Sequence, residues 1–493
     1  MITEATRGSA TIPLRLLIDG RWSAGSGTKI TVQSPSTGET VAEGNAASSQ
    51  QVSQAVEAGA RSYRLYRRTA LFERAALCHR VAEAMLRRRG EMARDLAREQ
   101  GKPLAEATVE VTVATEMFKD AAEDIKRLSG EVLPSMDSNR RIQVFREPIG
   151  VVVVITPWNF PVTIPSEYLS ACLAVGNTVV WKPASYTPLS AQHVAECYLD
   201  AGVPAGVLNL VLGYGSTIGL DLVSHPAIAG IGLTGSSATG EAVARLAGTR
   251  RLLLELGGNG PAIVAEDADL DQAIPRIVRG CFANAGQICD STERILVHRK
   301  LHAALLDGVL EGARQIRLDA SLSEGATMGP LNNEETAAKV DKHLADARSR
   351  GARILLGGRR APDRPTQLYF EPTVLTGVRP DMLLNQEETF GPVAPILTFD
   401  TDEQAIEIAN APDSGLVAGV FTRDISRADL YIRSLEAGIV NVNESPTYWE
   451  PHTPFGGYAG KRSGLGRLGG KYTIQELSQM KTAVVDVIAQ TKG

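Results

Sequence analysis

From residue 149 onward, short apolar runs alternate with stretches of helical periodicity, and this alternation limits the folds that the chain can adopt. Five such runs occupy residues 151–155, 178–181, 207–212, 228–233 and 252–256. Runs of this length, bounded by turns and separated by helices, are typical of parallel βαβ units. The sequence therefore predicts an α/β fold with a mainly parallel sheet, and it predicts a second α/β region over residues 260–460.

The residues that follow these runs are candidates for a binding site, because ligands of parallel sheets bind beyond the carboxyl ends of the strands. The positions concerned are Thr156, Pro157, Trp158, Asn159, Lys182, Pro183, Gly213, Thr234, Gly235, Ser236, Glu255, Leu256, Gly257 and Gly258. We expect these side chains to meet in one crevice.

The second region contains Cys289 within the stretch FANAGQICDSTER at residues 282–294. Asp269 can cap a preceding helix, and an apolar run at 295–297 begins a strand, so this cysteine is predicted between two rigid elements. Its neighbour Asp290 is polar. The four other cysteines, at positions 78, 172, 197 and 281, lie in apolar patterns and are expected to be small buried hydrophobes. We interpret Cys289 as a candidate nucleophile.

Charge and cysteine content narrow the class of function. The 493 residues include 51 basic and 56 acidic side chains without charged blocks, so neither a nucleic-acid partner nor a membrane surface is predicted. The length favours two to four domains. Five cysteines without metal-like spacing predict neither disulfides nor a metal site, and they fit a reducing compartment. The N-terminus lacks the features of a signal peptide and no apolar run could span a bilayer, so a cytoplasmic protein is expected.

Outside the alternating regions, the pattern predicts helices and two isolated strands. Residues 49–99 are typical of two amphipathic helices, and residues 104–126 of a third that follows a Gly-Lys-Pro break. Residues 140–146 alternate like a strand and are predicted to project as an arm. Residues 483–488 form another strand-like run without a sequential partner.

Seven segments resemble those of the aldehyde dehydrogenase superfamily. In the family's order, they are PWNFP at 157–161, WKPA at 181–184, TGSSATG at 234–240, LELGGN at 254–259, GQIC at 286–289, EETFGP at 387–392 and PFGG at 454–457. The resemblance covers nearly the whole chain. It implies a Rossmann-like NAD(P)-binding domain at 1–125 and 149–257, a catalytic domain at 258–460, and a small β oligomerisation or bridging element at 126–148 and 461–493. It also implies a homodimer or homotetramer, because the arm and the C-terminal strand pair across subunits in the family.

The resemblance assigns catalytic roles to three residues. Cys289 matches the nucleophile that adds to an aldehyde carbonyl. The Asn159 side-chain amide, with the Cys289 backbone N–H, matches the donors that stabilise the resulting alkoxide. Glu255 matches the general base that activates water to release the acid, and its position at the end of an apolar run predicts a raised pKa.

NAD or NADP is the cofactor that the resemblance implies. Gly235 and Ser236 open a helix whose free N–H groups can meet a pyrophosphate. Lys182 and Glu388 match positions that hold ribose hydroxyls, and Phe390 matches the aromatic residue at the nicotinamide ribose. Thr234 and Leu256 are expected to border the nicotinamide, and the Thr156, Pro157 and Trp158 turn is expected to line the same site. Ser185 replaces the family's cofactor-distinguishing glutamate, so nothing acidic is predicted there to repel a 2′-phosphate.

The substrate site departs from that of relatives that act on succinic semialdehyde. Glu167 and Ala283 stand where those relatives carry arginines. Trp449 matches an aromatic position of the tunnel wall, Tyr448 and Phe455 are placed with it, and Asp290 is a further polar contact beside the nucleophile. We therefore predict a neutral aromatic or hydroxylated aldehyde, or a cationic aminoaldehyde, as substrate.

Three alternatives remain open from the sequence. A succinic-semialdehyde-type or other small aliphatic aldehyde is the alternative substrate. An acyltransferase that passes the thioester to a thiol is a second possibility, although relatives that do so generally lack the Glu255 carboxylate. A catalytically silent binding homologue is the third, and it would be expected to lack at least one of Cys289, Glu255 and Asn159, all of which are present.

Overall fold

The apolar runs of the first half form strands of one sheet. The structure is a computed structural model that describes residues 11–487. Its elements as far as residue 255 are β1 Ile12–Pro13, β2 Leu16–Ile18, β3 Arg21–Ser23, β4 Lys29–Gln33, β5 Thr40–Asn45, α1 Ser49–Tyr66, α2 Leu71–Gln100, α3 Leu104–Lys126, β6 Glu131–Leu133, β7 Arg140–Pro148, β8 Val151–Ile155, α4 Thr163–Val175, β9 Thr178–Lys182, α5 Pro188–Asp200, β10 Leu208–Leu210, α6 Gly215–Ser224, β11 Ile228–Thr234, α7 Ser237–Ala247 and β12 Arg251–Glu255. The five predicted runs correspond to β8 to β12, and the three predicted helices to α1, α2 and α3.

The elements that follow β12 form the second region and the C-terminal segment. They are β13 Gly260–Val264, α8 Leu270–Phe282, β14 Thr292–His298, α9 His302–Arg314, α10 Glu334–Ser349, β15 Arg353–Leu356, β16 Thr373–Thr376, α11 Leu383–Gln386, β17 Val393–Phe399, α12 Asp402–Asn410, β18 Val417–Phe421, α13 Ile425–Ser434, β19 Ile439–Val442, β20 Gly464–Leu465, α14 Gly470–Glu476 and β21 Ser478–Asp486. Short 3₁₀ turns at Ala283–Gly286 and Arg299–Leu301 flank β14.

Two mainly parallel sheets form the body of the molecule. The first has the strand order β20-β12-β11-β8-β9-β10-β2-β3, and the second β15-β16-β17-β14-β13-β18-β19. The central strands β8 to β12 pair in parallel, and so do β13, β14 and β16 to β19. The four valines of β8 are all buried, as expected for a parallel strand covered on both faces. The predicted α/β class is confirmed, whereas the division into domains remains a prediction.

Local capping explains where several helices begin and end. The Ser236 hydroxyl accepts the Thr239 N–H at the start of α7, and Asp269 caps α8 as predicted. Helix α4 ends at Gly176, whose φ of 103° is a left-handed conformation that glycine adopts without steric cost. Among residues 11–487, no helix has both the length and the apolar character needed to cross a membrane.

Two smaller sheets complete the fold. One has the order β1-β5-β4, and the other β21-β7-β6. In the latter, β21 runs antiparallel to β7 from Ser478 opposite Pro148 to Asp486 opposite Arg140. The sequence left the local partner of the 140–146 arm open, and the resemblance implied pairing with the C-terminal strand across subunits. The structure instead pairs β7 with β21 of the same chain, because the C-terminal segment returns beside β7. The predicted C-terminal run extends to residue 488, which lies outside the described residues.

The link between the two large sheets passes against the backbone of Cys289. Strand β12 ends at Glu255 and β13 begins at Gly260, so only four residues connect the sheets. A Cβ atom on Gly258 would lie 2.2 Å from the backbone carbonyl oxygen of Cys289, which is far inside van der Waals contact. A side chain at this position requires the backbone to shift, and only glycine fits the observed packing.

We therefore expect Gly258→Ala to separate the link from the cysteine loop and to lower the free energy of unfolding by about 1–3 kcal/mol, as overpacking does. Thermal unfolding and the alkylation rate of Cys289 measure the two effects. Gly90→Ala is the matched control: a Cβ on Gly90, inside α2, meets nothing within 4 Å, so this change should stabilise by about 0.5–1 kcal/mol. Unchanged stability and alkylation in Gly258→Ala would contradict this account of the link.

Candidate active site

The loop before Cys289 is held in an unusual backbone conformation. After α8 ends at Phe282, Asn284 and Ala285 have φ values of 49° and 55°. Left-handed backbone costs roughly 1–2 kcal/mol per non-glycine residue, so surrounding bonds must hold it. The Asn284 side-chain amide donates to the carbonyls of Asn159 and Gln287, both at 3.2 Å, and the Gln287 amide donates back to the Asn284 carbonyl at 2.8 Å. These bonds fix the turn from which Cys289 projects.

Cys289 is half-buried and is surrounded by carboxyl groups. Burial raises the pKa of its thiol well above the ordinary value, and the carboxylates of Glu255, Asp290 and Glu388 raise it further. The thiol is therefore protonated at neutral pH in this arrangement. The four other cysteines are buried, as predicted, and all five are free thiols.

Glu255 lies beside the thiol at the end of β12. Its pKa is raised well above the ordinary glutamate value, first by burial and then by Glu167 and Asp290, while a hydrogen bond with the Cys289 thiol acts in the opposite direction. The Oε1 atom of this carboxyl group is buried and has no hydrogen-bond partner among the described residues. Glu255 is thus a carboxyl group with a free acceptor next to the candidate nucleophile.

Asn159 reaches the same site from the loop after β8. Its side-chain nitrogen donates to the Gln287 carbonyl at 3.1 Å, and the residue is buried. An amide nitrogen has two N–H donors, so this bond leaves one donor to act on a ligand. Asn159, Cys289 and Glu255 all line one cleft of about 210 Å³.

Most of the predicted cofactor residues line the same cleft. They are Pro157, Trp158, Thr234, Gly235, Ser236, Leu256, Glu388 and Phe390. The N-terminus of α7 opens into this cleft at Ser236, where a helix end favours an anion. Glu388 accepts the Gly258 N–H at 3.1 Å and leaves further acceptor sites for hydroxyl groups. The donor and acceptor chemistry of this cleft therefore fits a dinucleotide.

Three predicted cofactor residues lie away from the cleft lining. Thr156 is buried and accepts the indole N–H of Trp181 at 2.9 Å. Lys182 is buried, its ammonium group donates to the Pro183 carbonyl at 3.1 Å, and burial lowers its pKa to about 8. Ser185 is half-buried and donates to the Gly213 carbonyl at 3.2 Å. Their cofactor contacts remain predictions.

The loop that carries Glu388 and Phe390 depends on a residue that the sequence reasoning missed. Glu293, in β14, is buried and accepts the backbone N–H groups of Thr389 and Phe390, each at 2.9 Å. Phe390 has a φ of 60° and packs edge-to-face with Trp158, with ring centroids 5.6 Å apart. A glutamate at the start of an apolar strand was the available signal for such a role.

Helix α10 contributes further cleft residues that the sequence did not single out. Asn333, Glu335, Thr336 and Lys339 line the cleft. Burial raises the pKa of Glu388. The Lys339 ammonium group, 4.0 Å from the Glu388 carboxylate, partly opposes this shift. No local pattern marked this helix, because only the tertiary fold brings it to the cleft.

Glu167 borders a second, smaller cavity close to the cleft. Ile164, three residues earlier on the same face of α4, lines the main cleft, and Glu167 lines the second cavity, of about 10 Å³, with Asp120. Burial raises the pKa of Glu167 to about 8. Burial also raises the pKa of Asp120, and its neighbours Asp124 and Glu116 raise it further. This cavity, which we call the acidic cavity, is lined by these two carboxyl groups and small or apolar residues.

The aromatic residues predicted for the substrate wall differ in exposure and in contacts. Trp449 packs edge-to-face on Phe455, with ring centroids 6.4 Å apart, and its buried indole N–H lacks a hydrogen-bond partner among the described residues. Pro451, two residues later, lines the acidic cavity. Tyr448 is half exposed, and its hydroxyl donates to Glu450 at 2.6 Å. Asp290 is buried, and burial raises its pKa to about 7.

Comparison with known proteins places this geometry in a family. The model of the aldehyde dehydrogenase family matches residues 22–483. The chain is 39% identical to a mitochondrial succinate-semialdehyde dehydrogenase of Oryza sativa over 97% of this chain and 90% of the relative. It is 37% identical to the NADP(+) succinate-semialdehyde dehydrogenase of Escherichia coli over 94% of this chain and 96% of that protein.

A solved structure with the same fold is the betaine aldehyde dehydrogenase of Staphylococcus aureus in complex with NAD+. It superposes with a TM-score of 0.93 at 30% sequence identity, over 97% of this chain and 95% of that chain. These matches extend over both large sheets and confirm the family that the seven sequence segments predicted. The chain belongs to the aldehyde dehydrogenase family.

Proposed function

We propose that this chain oxidises an aldehyde to the carboxylic acid with NAD or NADP, through a covalent thioester on Cys289. The observation that carries the proposal is the meeting of Cys289, Glu255 and Asn159 in one cleft. A thiol, a carboxyl group with a raised pKa and an amide donor supply what carbonyl addition, proton transfer and alkoxide stabilisation need.

In the first step, the sulfur of Cys289 adds to the aldehyde carbon, which forms a C–S bond and leaves an alkoxide on oxygen. Because burial and nearby carboxylates keep the thiol protonated, its proton must leave, and the Glu255 carboxylate is the adjacent acceptor. The Asn159 amide and the Cys289 backbone N–H then donate to the alkoxide. Removal of one such donor costs about 3 to 4 kcal/mol of activation free energy.

NAD or NADP, which the cleft residues Trp158, Ser236 and Glu388 would help to hold, would supply the hydride acceptor for the second step. After hydride loss from the former carbonyl carbon, Cys289 would carry the acyl group as a thioester. Glu255 releases the thiol proton to solvent, then takes a proton from a water molecule and passes it to the departing sulfur. The water oxygen bonds to the acyl carbon as the C–S bond breaks, so the acid is released and the thiol is restored. Hydrolysis is favoured over acyl transfer because Glu255 lies beside the sulfur with an unpartnered oxygen.

For the substrate, we propose a neutral aromatic or hydroxylated aldehyde, or a cationic aminoaldehyde. The supporting observation is the acidic cavity, where Glu167 and Asp120 stand without a cation on the lining. An ammonium group would offset two partly buried carboxyl groups, whereas a substrate carboxylate would add a third. Trp449 offers an aromatic wall and a free indole N–H for a hydroxyl oxygen.

The names of the relatives support the alternative substrate better than this one. Both sequence relatives are named as succinate-semialdehyde dehydrogenases, so a semialdehyde that carries a carboxylate is the second candidate. The structure offers one way to bind it. With a pKa of about 8, Glu167 is mostly protonated at neutral pH and can donate a hydrogen bond to a carboxylate.

We also propose a homodimer or homotetramer in the cytoplasm. The small sheet has β6 and β21 at its edges, and unpaired strand edges favour association. Several apolar side chains on this sheet are exposed, among them Val132, Val484 and Val485. The free thiols fit a reducing compartment.

The nucleophile and the base are tested together. Cys289→Ala should abolish aldehyde oxidation with near-normal cofactor binding, whereas the matched change Cys281→Ala, at a buried cysteine, should retain turnover. Glu255→Gln, assayed at alkaline pH so that the thiol can lose its proton to solvent, should accumulate an acyl-enzyme visible by intact mass and turn over slowly afterwards. Absence of the adduct with an unchanged steady-state rate would remove Glu255 from the mechanism.

The pH dependence of KM separates the substrate candidates, because Glu167 gains negative charge as the pH rises through about 8. KM for a trimethylammonium aldehyde, whose charge does not titrate, should fall over this range. KM for succinic semialdehyde should rise, and KM for benzaldehyde should stay constant. Glu167→Gln should remove both trends. If succinic semialdehyde has the highest kcat/KM of the three at neutral pH, the carboxylated substrate is the correct one.

Cofactor preference is tested at Ser185. We expect NADP to support kcat/KM within roughly tenfold of NAD, since no carboxylate at this position repels a 2′-phosphate. Ser185→Glu should shift the ratio toward NAD by about tenfold or more. Ser185→Ala, which removes only the hydroxyl that donates to Gly213, should leave the ratio unchanged. Equal ratios in all three forms would show that this position does not select the cofactor.

A further inference from the structure

A buried ion pair between Lys102 and Glu110 lies directly behind the Asn159 turn. Lys102 stands between the end of α2 and the start of α3, and Glu110 lies on α3. The ammonium nitrogen and the Glu110 Oε2 are 2.5 Å apart, and each side chain is 1% exposed. Isolated charges at such depth are strongly destabilising, so a pair of this kind persists only where further bonds satisfy both groups.

Those further bonds all go to the turn that carries Asn159. The Lys102 ammonium group also donates to the Asn159 carbonyl at 2.8 Å and lies 3.8 Å from the centroid of the Phe160 ring. The second Glu110 oxygen accepts the backbone N–H groups of Val162 at 2.9 Å and Thr163 at 3.3 Å. The pair therefore holds the middle of the turn between β8 and α4, at Asn159, and its end at Val162 and Thr163.

The same turn is held from the other side by the cysteine loop. The Asn284 amide donates to the Asn159 carbonyl, so this one carbonyl accepts from both the ion pair and the loop. Gln100 joins the two arrangements, because its side chain donates to the Asn284 side-chain oxygen at 3.1 Å and accepts the Lys102 N–H at 2.7 Å. The position of the Asn159 side chain relative to Cys289 thus depends on both sets of bonds.

We propose that Lys102 and Glu110 are positioning residues, which fix the Asn159 amide where the alkoxide forms. The inference rests on the proposed role of Asn159 as an alkoxide donor. Donors of this kind act because they are already in place when charge develops, so a small displacement of the amide lowers the rate. Neither residue lines the cleft, and neither contacts the substrate or cofactor in this proposal.

A double-mutant cycle tests this dependence. The double variant Lys102→Met/Glu110→Gln, which we call the neutral pair variant, leaves no unpaired buried charge. The burst of NADH formation is measured for this variant and for the unchanged pair, each with Asn159 and with Asn159→Ala. We expect a loss of roughly tenfold or more when Asn159 is present, within the roughly hundredfold loss expected for Asn159→Ala itself. In the Asn159→Ala background, the pair change should alter the burst by less than about twofold.

Two further measurements separate positioning from general damage. Cofactor affinity and the alkylation rate of Cys289 without aldehyde should stay unchanged in the neutral pair variant. Asp95→Asn is the matched control, because it removes a partner of another buried pair, with His193 at 2.9 Å, on helix α2, which ends two residues before Lys102. It should lower the thermal midpoint and leave the burst intact.

The outcomes distinguish this inference from the proposed function. An equal loss in both backgrounds would show that the pair does not act through Asn159 and would overturn the inference. If Asn159→Ala alone leaves the burst unchanged, the alkoxide role of Asn159 fails instead, and the inference fails with it. If the neutral pair variant does not fold, Lys102→Arg keeps the buried cation but moves its donors, and the same cycle with the same criterion decides.

Discussion

The close approach of the Gly258 backbone to the Cys289 carbonyl is the constraint on which the rest of the site depends. It allows the strand that ends in Glu255 and the loop that carries Cys289 to meet without an intervening side chain, although they belong to different sheets. The carboxyl ends of β8, β11 and β12 in the first sheet thereby face the segments that precede β14 and β17 in the second sheet, and the cleft lies between them. Parallel sheets bind ligands beyond the carboxyl ends of their strands. The Cys289 thiol, on the loop before one sheet, and the Glu255 carboxyl group, at the end of the other, are thereby brought into hydrogen-bonding contact.

This approach concentrates carboxyl groups around one buried thiol. Glu255, Asp290 and Glu388 all raise the pKa of Cys289, and Glu167 and Asp290 raise that of Glu255. A protonated thiol is weakly nucleophilic, so the resting site is protected until a proton acceptor acts. Perturbed carboxyl groups gathered in one cleft are typical of functional sites, because burial and like charges tune groups for proton transfer.

The overall similarity to relatives and the residues near the cleft support different candidate substrates. Identity of 37% to 39% over almost the whole chain indicates a shared fold, and one fold can serve many substrates. The substrate proposed here rests on a local feature, the Glu167 carboxyl group in the lining of the acidic cavity. The relatives' names describe the substrates of those proteins, so the names and the cavity support different candidate aldehydes.

The sequence by itself determined most of the secondary structure and the three central residues of the site. The runs at 151–155 and 228–233 correspond to β8 and β11. A parallel strand that is buried on both faces consists of consecutive apolar residues, so it is visible in the sequence. Asp269 and Ser236 marked helix starts, since capping depends on a residue's own side chain and the next three residues. Cys289, Glu255 and Asn159 were identified from local segments that resemble the family.

The tertiary structure alone decided which distant residues support that site. The pairing of β7 with β21, the contact of Glu293 with the Phe390 loop and the Lys102–Glu110 pair join segments far apart in the chain. No periodicity or capping pattern reports such contacts, because they arise only when separate elements pack together. The burial of Glu167 is also of this kind. Burial raises its pKa, because α3 and the segment near Pro451 pack beside the face of α4 that carries Glu167. The sequence alone could not distinguish this helix face from one that is exposed to solvent.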